Sequence, residues 1–204
     1  MLHVFSFKGF VTCPSCSDRT PLSSMEQLTC DGCGEVLPAA GTVWGAVAAP
    51  DNLSEVFFAQ PGAKKSYKAL GGFSESMTFT KESPKCEACG AVLDVAGLED
   101  PSATLETISC HECGHAARVR RAYDVARRVV PGAVAVVGER RVSDKPASAP
   151  VAFQCMSCGA GLMVEGNERT VTCSYCSTAN FLPEELWRRF HPRQKAPTLF
   201  VVAP

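Results

Sequence analysis

The chain has 204 residues, 46% of them hydrophobic, and a formal net charge of −1. That hydrophobic content suits a folded globular protein, and no run of about 18 apolar residues is present to cross a membrane as a helix. A sequence pI near 6.4 weighs against a protein that binds nucleic acid over its whole surface.

Taken in chain order, residues 2–7 read as a strand, and the N-terminal MLHVFSFKGF carries neither a long apolar run nor a small-residue cleavage site. No secretory signal is therefore expected. Cys13, Cys16, Cys30 and Cys33 follow as two CxxC pairs, with Met25 and Leu28 on a strand that returns toward the second pair. Residues 48–58 bring Ala48-Ala49-Pro50 and a short apolar run, and residues 60–76, with Pro61-Gly62 and Gly71-Gly72, read as a loop. The next set is Cys86, Cys89, Cys110 and Cys113, with a solvated insertion expected at residues 94–102. After it come Ala126-Arg127-Arg128-Val129-Val130-Pro131 and a β-rich run at 133–137. Residues 143–150 (SDKPASAP) have the composition of a linker. The last set is Cys155, Cys158, Cys173 and Cys176. Here Leu162 and Val164 lead to Gly166-Asn167, and Arg169 and Val171 return, which predicts a hairpin between the two cysteine pairs. Trp187-Arg188-Arg189-Phe190-His191-Pro192 and a strand at 199–202 then repeat the helix, proline and strand order of the second unit.

All twelve cysteines thus fall into three complete four-cysteine sets. Two CxxC pairs at hairpin-length separation signal a structural zinc site, because four thiolates at tetrahedral reach saturate Zn²⁺. Gly34, Gly90, Gly114 and Gly159 follow a pair, where the knuckle turn needs a positive φ; Ser17 and Ser177 stand at the other two positions. Each unit is too short to rely on an apolar core, and a structural zinc ion contributes about 10–16 kcal/mol of apparent binding energy. Three Zn²⁺ per chain are expected in a reducing, cytoplasmic setting. Iron, which uses the same knuckles, and disulfides are the alternatives. His111 and His115 could replace a cysteine as ligand, although the pattern is complete without them. A CxxC redox centre fits poorly without a βαβ pattern. No vacant metal position, no nucleophile with a base, and no P-loop or dinucleotide motif is evident, so neither an enzyme nor a small-molecule substrate is expected.

Charge is uneven. Residues 1–113 hold seven basic and fourteen acidic side chains, whereas residues 114–145 hold eight basic and three acidic. Arg118, Arg120, Arg121, Arg127 and Arg128, with Arg140 and Arg141 beyond them, make a candidate nucleic-acid face, since arginine pairs with phosphate in a bidentate way. On the helices, Arg127-Arg128 and Arg188-Arg189 also fit a solvated surface. Lys64-Lys65-Ser66-Tyr67-Lys68 reads as a mobile surface loop with a second, weaker nucleic-acid pattern. Trp187, with Leu186 and Phe190, either packs over the third cysteine unit or anchors a protein partner.

The cysteine sets and knuckle glycines resemble the zinc-ribbon superfamily, a rubredoxin-like group of small β folds. The resemblance covers roughly residues 10–36, 84–120 and 153–182, and the stretch 173–192 looks like the ends of some bacterial zinc-ribbon proteins. It implies docking modules of the kind found in transcription machinery, ribosomal proteins and scaffolds. The expected architecture is a small, metal-stabilised, mainly β protein of three tandem ribbons, with short helices and extra strands between them. The units are residues 1–60, 61–142 and 153–204, with a linker at 143–152. The expected function is a non-enzymatic adaptor for a protein partner, with nucleic-acid binding through residues 118–141 as the alternative and no membrane role.

Overall fold

The computed structural model of the chain describes residues 2–37, 60, 62, 64–71, 73–100, 106–140, 149–166, 168–192 and 195–204, with backbone alone for 64–71 and 73–77. The two ends of the chain pair with each other. β1 (His3–Thr12) runs antiparallel to β14 (Leu199–Ala203), with Phe5 opposite Val201. Around this pair an eight-stranded sheet is built in the order β5 (Lys64–Gly71), β6 (Phe73–Lys81), β1, β14, β9 (Ala135–Val137), β8 (Ala116–Arg121) and β7 (Thr107–Ser109). β6 takes one edge of β1 over Phe5 to Val11. The other edge is shared by β14 at one end and β2 (Arg19–Pro21) at the other.

Period-two alternation explains why the central strands read as continuous apolar runs. Leu199, Val201 and Ala203 of β14 join one core, and Phe200 and Val202 join a second. Val136 of β9 and Phe5 and Phe7 of β1 face the first core, while Ala135, Val137 and Val4 face the second. Both faces of β14 and β9 are buried, so every position in those two strands must be apolar or small. The first core holds Cys13 and Cys30 with Leu22, Met25 and Leu28; the second holds Cys86 and Cys110 with Leu93, Leu98 and Val119. The first and second cysteine units therefore lie on opposite faces of one sheet.

Two helices complete the molecule among the described residues. α1 (Asp124–Val129) buries Val125, Ala126 and Val129 in the first core and leaves Arg127 and Arg128 exposed. α2 (Glu184–Phe190) starts after Pro183 with two acidic residues in its first turn, as the positive end of a helix favours. Each helix ends immediately before the residue preceding a proline, at Pro131 and Pro192.

The structure differs from three expectations. Lys64–Gly71 and Phe73–Lys81 pair as the β5–β6 hairpin rather than forming a loop, because β6 pairs with β1 along seven positions and β5 pairs with β6 out to Gly71 opposite Phe73. The hairpins run across the knuckles, not between them: β10 (Val151–Gln154) pairs with β11 (Gly161–Val164), and β12 (Thr170–Thr172) pairs with β13 (Ala179–Phe181). β3 (Leu28–Thr29) and β4 (Val36–Leu37) bracket the second knuckle of the first unit in the same way. The insertion at 94–102 is not wholly solvated, since a 3-10 turn at Ala96–Leu98 drives Leu98 into the second core at 1% exposure. One sheet draws strands from both ends and the middle of the chain, with β14 lying between β1 and β9. The run at 48–58 and Arg141 fall outside the described residues.

Candidate metal centres and their surroundings

Six knuckles are built in the same way. The N–H of the first cysteine donates to the carbonyl five residues on, and the N–H four residues on returns to that cysteine's carbonyl. Cys86 N–H to Ala91 O is 2.7 Å and Gly90 N–H to Cys86 O is 2.9 Å. The residue after each pair is left-handed, including Ser17 at φ 59° and Ser177 at φ 58°. A side chain at those two positions carries a small backbone strain that glycine elsewhere avoids.

In each set the four sulfurs lie within 4.8 Å of one another. Cys16 and Cys30 are 3.4 Å apart, Cys86 and Cys113 3.6 Å, and Cys158 and Cys173 3.7 Å. A tetrahedral ion with metal–sulfur bonds of about 2.3 Å needs sulfurs about 3.8 Å apart. The donor sets therefore fit metal ions, and the cysteines are free thiols rather than disulfides. His111 and His115 are exposed, and neither belongs to a cluster among the described residues.

Electrostatics favour a cation. The N–H groups of Cys89 and Ala88 bond to the Cys86 sulfur and bring its thiol down to about 6. Cys155 is likewise brought down to about 6 by the Cys158 and Ser157 N–H groups. For Cys89 the Ala91 N–H pulls the other way, but the crowding of neighbouring sulfurs, that of Cys113 first, prevails and pushes its thiol up to about 12. Four clustered thiolates repel one another, and a bound metal ion supplies the charge that lets all four ionise. The first cysteine of every pair is buried, whereas Cys89, Cys113 and Cys158 are exposed and Cys16 and Cys33 are half-buried. The first site is thus better shielded than the second.

Compared with family models, curated proteins and solved structures, the chain matches none.

The first site is shielded by the first core, which includes α1, and by the third unit. Trp187 is fully buried, with Cζ2 3.7 Å from where a Cβ would stand at Gly34 of the first unit's second knuckle. Arg188 Nη2 bonds to Asp18 Oδ2 at 2.7 Å, and Arg169 Nη1 donates to Gly32 O at 3.1 Å. Arg188 Nε also bonds to Glu184 at 2.6 Å. Burial opposes the charge on Arg188, but these carboxylates outweigh it and raise its pKa. Trp187 therefore packs over both units and offers no free face to a partner.

The basic stretch is broken up. Arg120 bonds to Glu26 at 2.8 Å and to Glu139 at 3.4 Å, and its guanidinium covers the Tyr123 ring at 4.1 Å. Arg121 donates to the carbonyls of Leu98 and Asp100, and Arg140 pairs with Glu87. Arg118, Arg128 and Arg189 are exposed, and Arg127 lies 4.0 Å from Asp124. The five arginines at 118–128 do not form one open face. The sequence reading missed Glu139, which is 5% exposed and accepts from Ser24 Oγ, Met25 N–H and Tyr123 Oη. Burial and the adjoining Glu139 carboxylate push the Tyr123 hydroxyl well above its ordinary range. Nothing in the local sequence marks Glu139, because its donors lie up to 115 positions away.

Proposed function

We propose that the chain is a non-enzymatic zinc-binding adaptor of the zinc-ribbon type, with three structural Zn²⁺ ions and a protein partner that docks on the third ribbon. One observation carries this reading. Of the six exposed large apolar side chains among the described residues, Met156, Met163, Tyr175 and Phe181 all belong to the third ribbon, at 81%, 67%, 76% and 58% exposure. Methionine and tyrosine are adaptable interface residues, and exposed apolar groups concentrated on one small unit suit a docking face. Saturated four-cysteine sites hold structure and leave no coordination position for a substrate. Zinc is preferred to iron because a structural site needs no redox chemistry, and free thiols fit a reducing cytoplasm.

The test is a pull-down from nuclease-treated extract, comparing the wild-type chain with a Met163→Glu/Tyr175→Glu variant. Metal analysis should give about three zinc ions in both, one per four-cysteine set. Retained partners should be lost from the variant. Partners that vanish on nuclease treatment, but survive in the variant, would move the function to nucleic acid. Arg118, Arg128 and Arg189 would then be the residues to substitute, with a steep salt dependence expected.

A further inference from the structure

A second surface stands apart from the ribbon face. β1 turns Phe5 and Phe7 into the first core and presents Ser6 and Lys8 on its opposite side, where they pair with Thr80 and Thr78 of β6. The second ribbon covers only the Val4 end of that face. Beyond it a cleft of about 900 Å³ opens, lined by Lys8 and Arg19, by Lys85 at the edge of the second ribbon, and by Lys195 just before β14.

The charges in this cleft are unbalanced. Its two acids are already engaged: Glu82 accepts from Ser6 Oγ at 2.6 Å and from Lys85 Nζ at 2.9 Å, and Glu87 pairs with Arg140. Among the described residues, Lys8, Arg19 and Lys195 have no acidic partner. The Arg19 guanidinium lies 4.6 Å over the Phe10 ring, which holds it in place at the cleft. We propose that this cleft binds an acidic peptide segment of a partner protein, with carboxylates on Lys8, Arg19 and Lys195.

Charge complementarity calls for an anion, and the lining selects the class. Single-stranded nucleic acid is gripped by bare aromatic faces on which bases stack. Here Phe10 is covered by Arg19, and Phe200 is 4% exposed, so among the described residues the cleft offers no such platform. Point-charge lysines, a guanidinium fork and threonine hydroxyls suit carboxylates. The inference deepens the adaptor reading by naming a partner chemistry, and it uses residues apart from the third-ribbon face.

The test uses the full-length, zinc-loaded chain and fluorescence anisotropy with a labelled octaglutamate peptide. A glycine–serine peptide and an eight-nucleotide oligo-thymidine serve as comparison probes. Octaglutamate should bind, with affinity falling as salt rises, and Lys8→Gln/Lys195→Gln should weaken it about tenfold or more. Lys8→Arg should retain binding. Thr107→Glu makes a negative charge change on exposed β7, outside the cleft, and should leave affinity within about twofold. The proposal is overturned by no octaglutamate binding at low salt, or by equal weakening in Thr107→Glu. Tighter binding of oligo-thymidine with the same Lys8 dependence would also overturn it in favour of nucleic acid. Because no cellular partner is present, failure here leaves the third-ribbon test standing, and the reverse holds as well.

Discussion

Trp187 shows what one side chain can carry. It fills the third core with Leu182 and Phe190 and also lies beside the first unit's knuckle, where a Cβ on Gly34 would meet it. Replacing a buried aromatic residue by alanine costs about 3–5 kcal/mol, through lost burial and the cavity left behind. Trp187→Ala should lose that amount in denaturant unfolding, while Trp187→Phe should lose less. An unchanged midpoint would show that the third unit's docking is dispensable. The cysteines set the pH response. The Cys86 and Cys155 thiols lie at about 6 when folded, against about 8.5 in an unfolded chain. A depressed value contributes stability that is full above the unfolded pKa and is lost as pH falls through the folded one. Bound metal acts in the same direction, because its ligands must be deprotonated. Cys89, pushed up to about 12, acts the other way in a metal-free chain. The fall therefore belongs to the metal-loaded protein, whose ligands are all deprotonated: its Tm and metal content should fall as pH drops toward about 6. A Tm that rises on acidification would contradict this.

At the level of elements, the three ribbons share a construction but not an environment. The first is enclosed by α1 and by α2, whereas Cys89, Cys113 and Cys158 reach solvent. A chelator or thiol reagent should strip the second and third sites before the first, as read by metal release and by mass mapping of alkylated cysteines. Simultaneous release from all three would mean that the enclosure gives no protection. Arg188→Ala should bring the first site's release closer to the others, since it removes the bond to Asp18 beside Cys16. The knuckles were legible from sequence because their hydrogen bonds close within five residues. The hairpin partners were not legible, since the apolar alternation of Leu162, Val164 and Val171 fits pairing on either side of a knuckle.

Across the whole molecule, the ends of the chain hold the units together. β14 contributes five consecutive buried residues and pairs on both edges, with β1 and β9. A protease site placed within residues 143–150 should give a nicked chain whose halves co-elute under native conditions, because β14 and the Arg188–Asp18 contact span the cut. Separation of the halves without denaturant would show that the third unit is an independent module. Truncation before Leu199 should abolish cooperative folding, as both cores lose their shared wall.

The sequence by itself determined the three four-cysteine sets, the knuckle turns, the two short helices and the mainly β character, because each depends on residues a few positions apart. Tertiary structure alone decided which strands meet, that the first two ribbons share one sheet, and that the third covers the first. It also decided the fate of the arginines. Arg120 finds Glu26 across 94 positions, and Arg188 finds Asp18 across 170. An apolar run or an arginine pair states a need for burial or for an opposite charge, and only the folded chain supplies the partner.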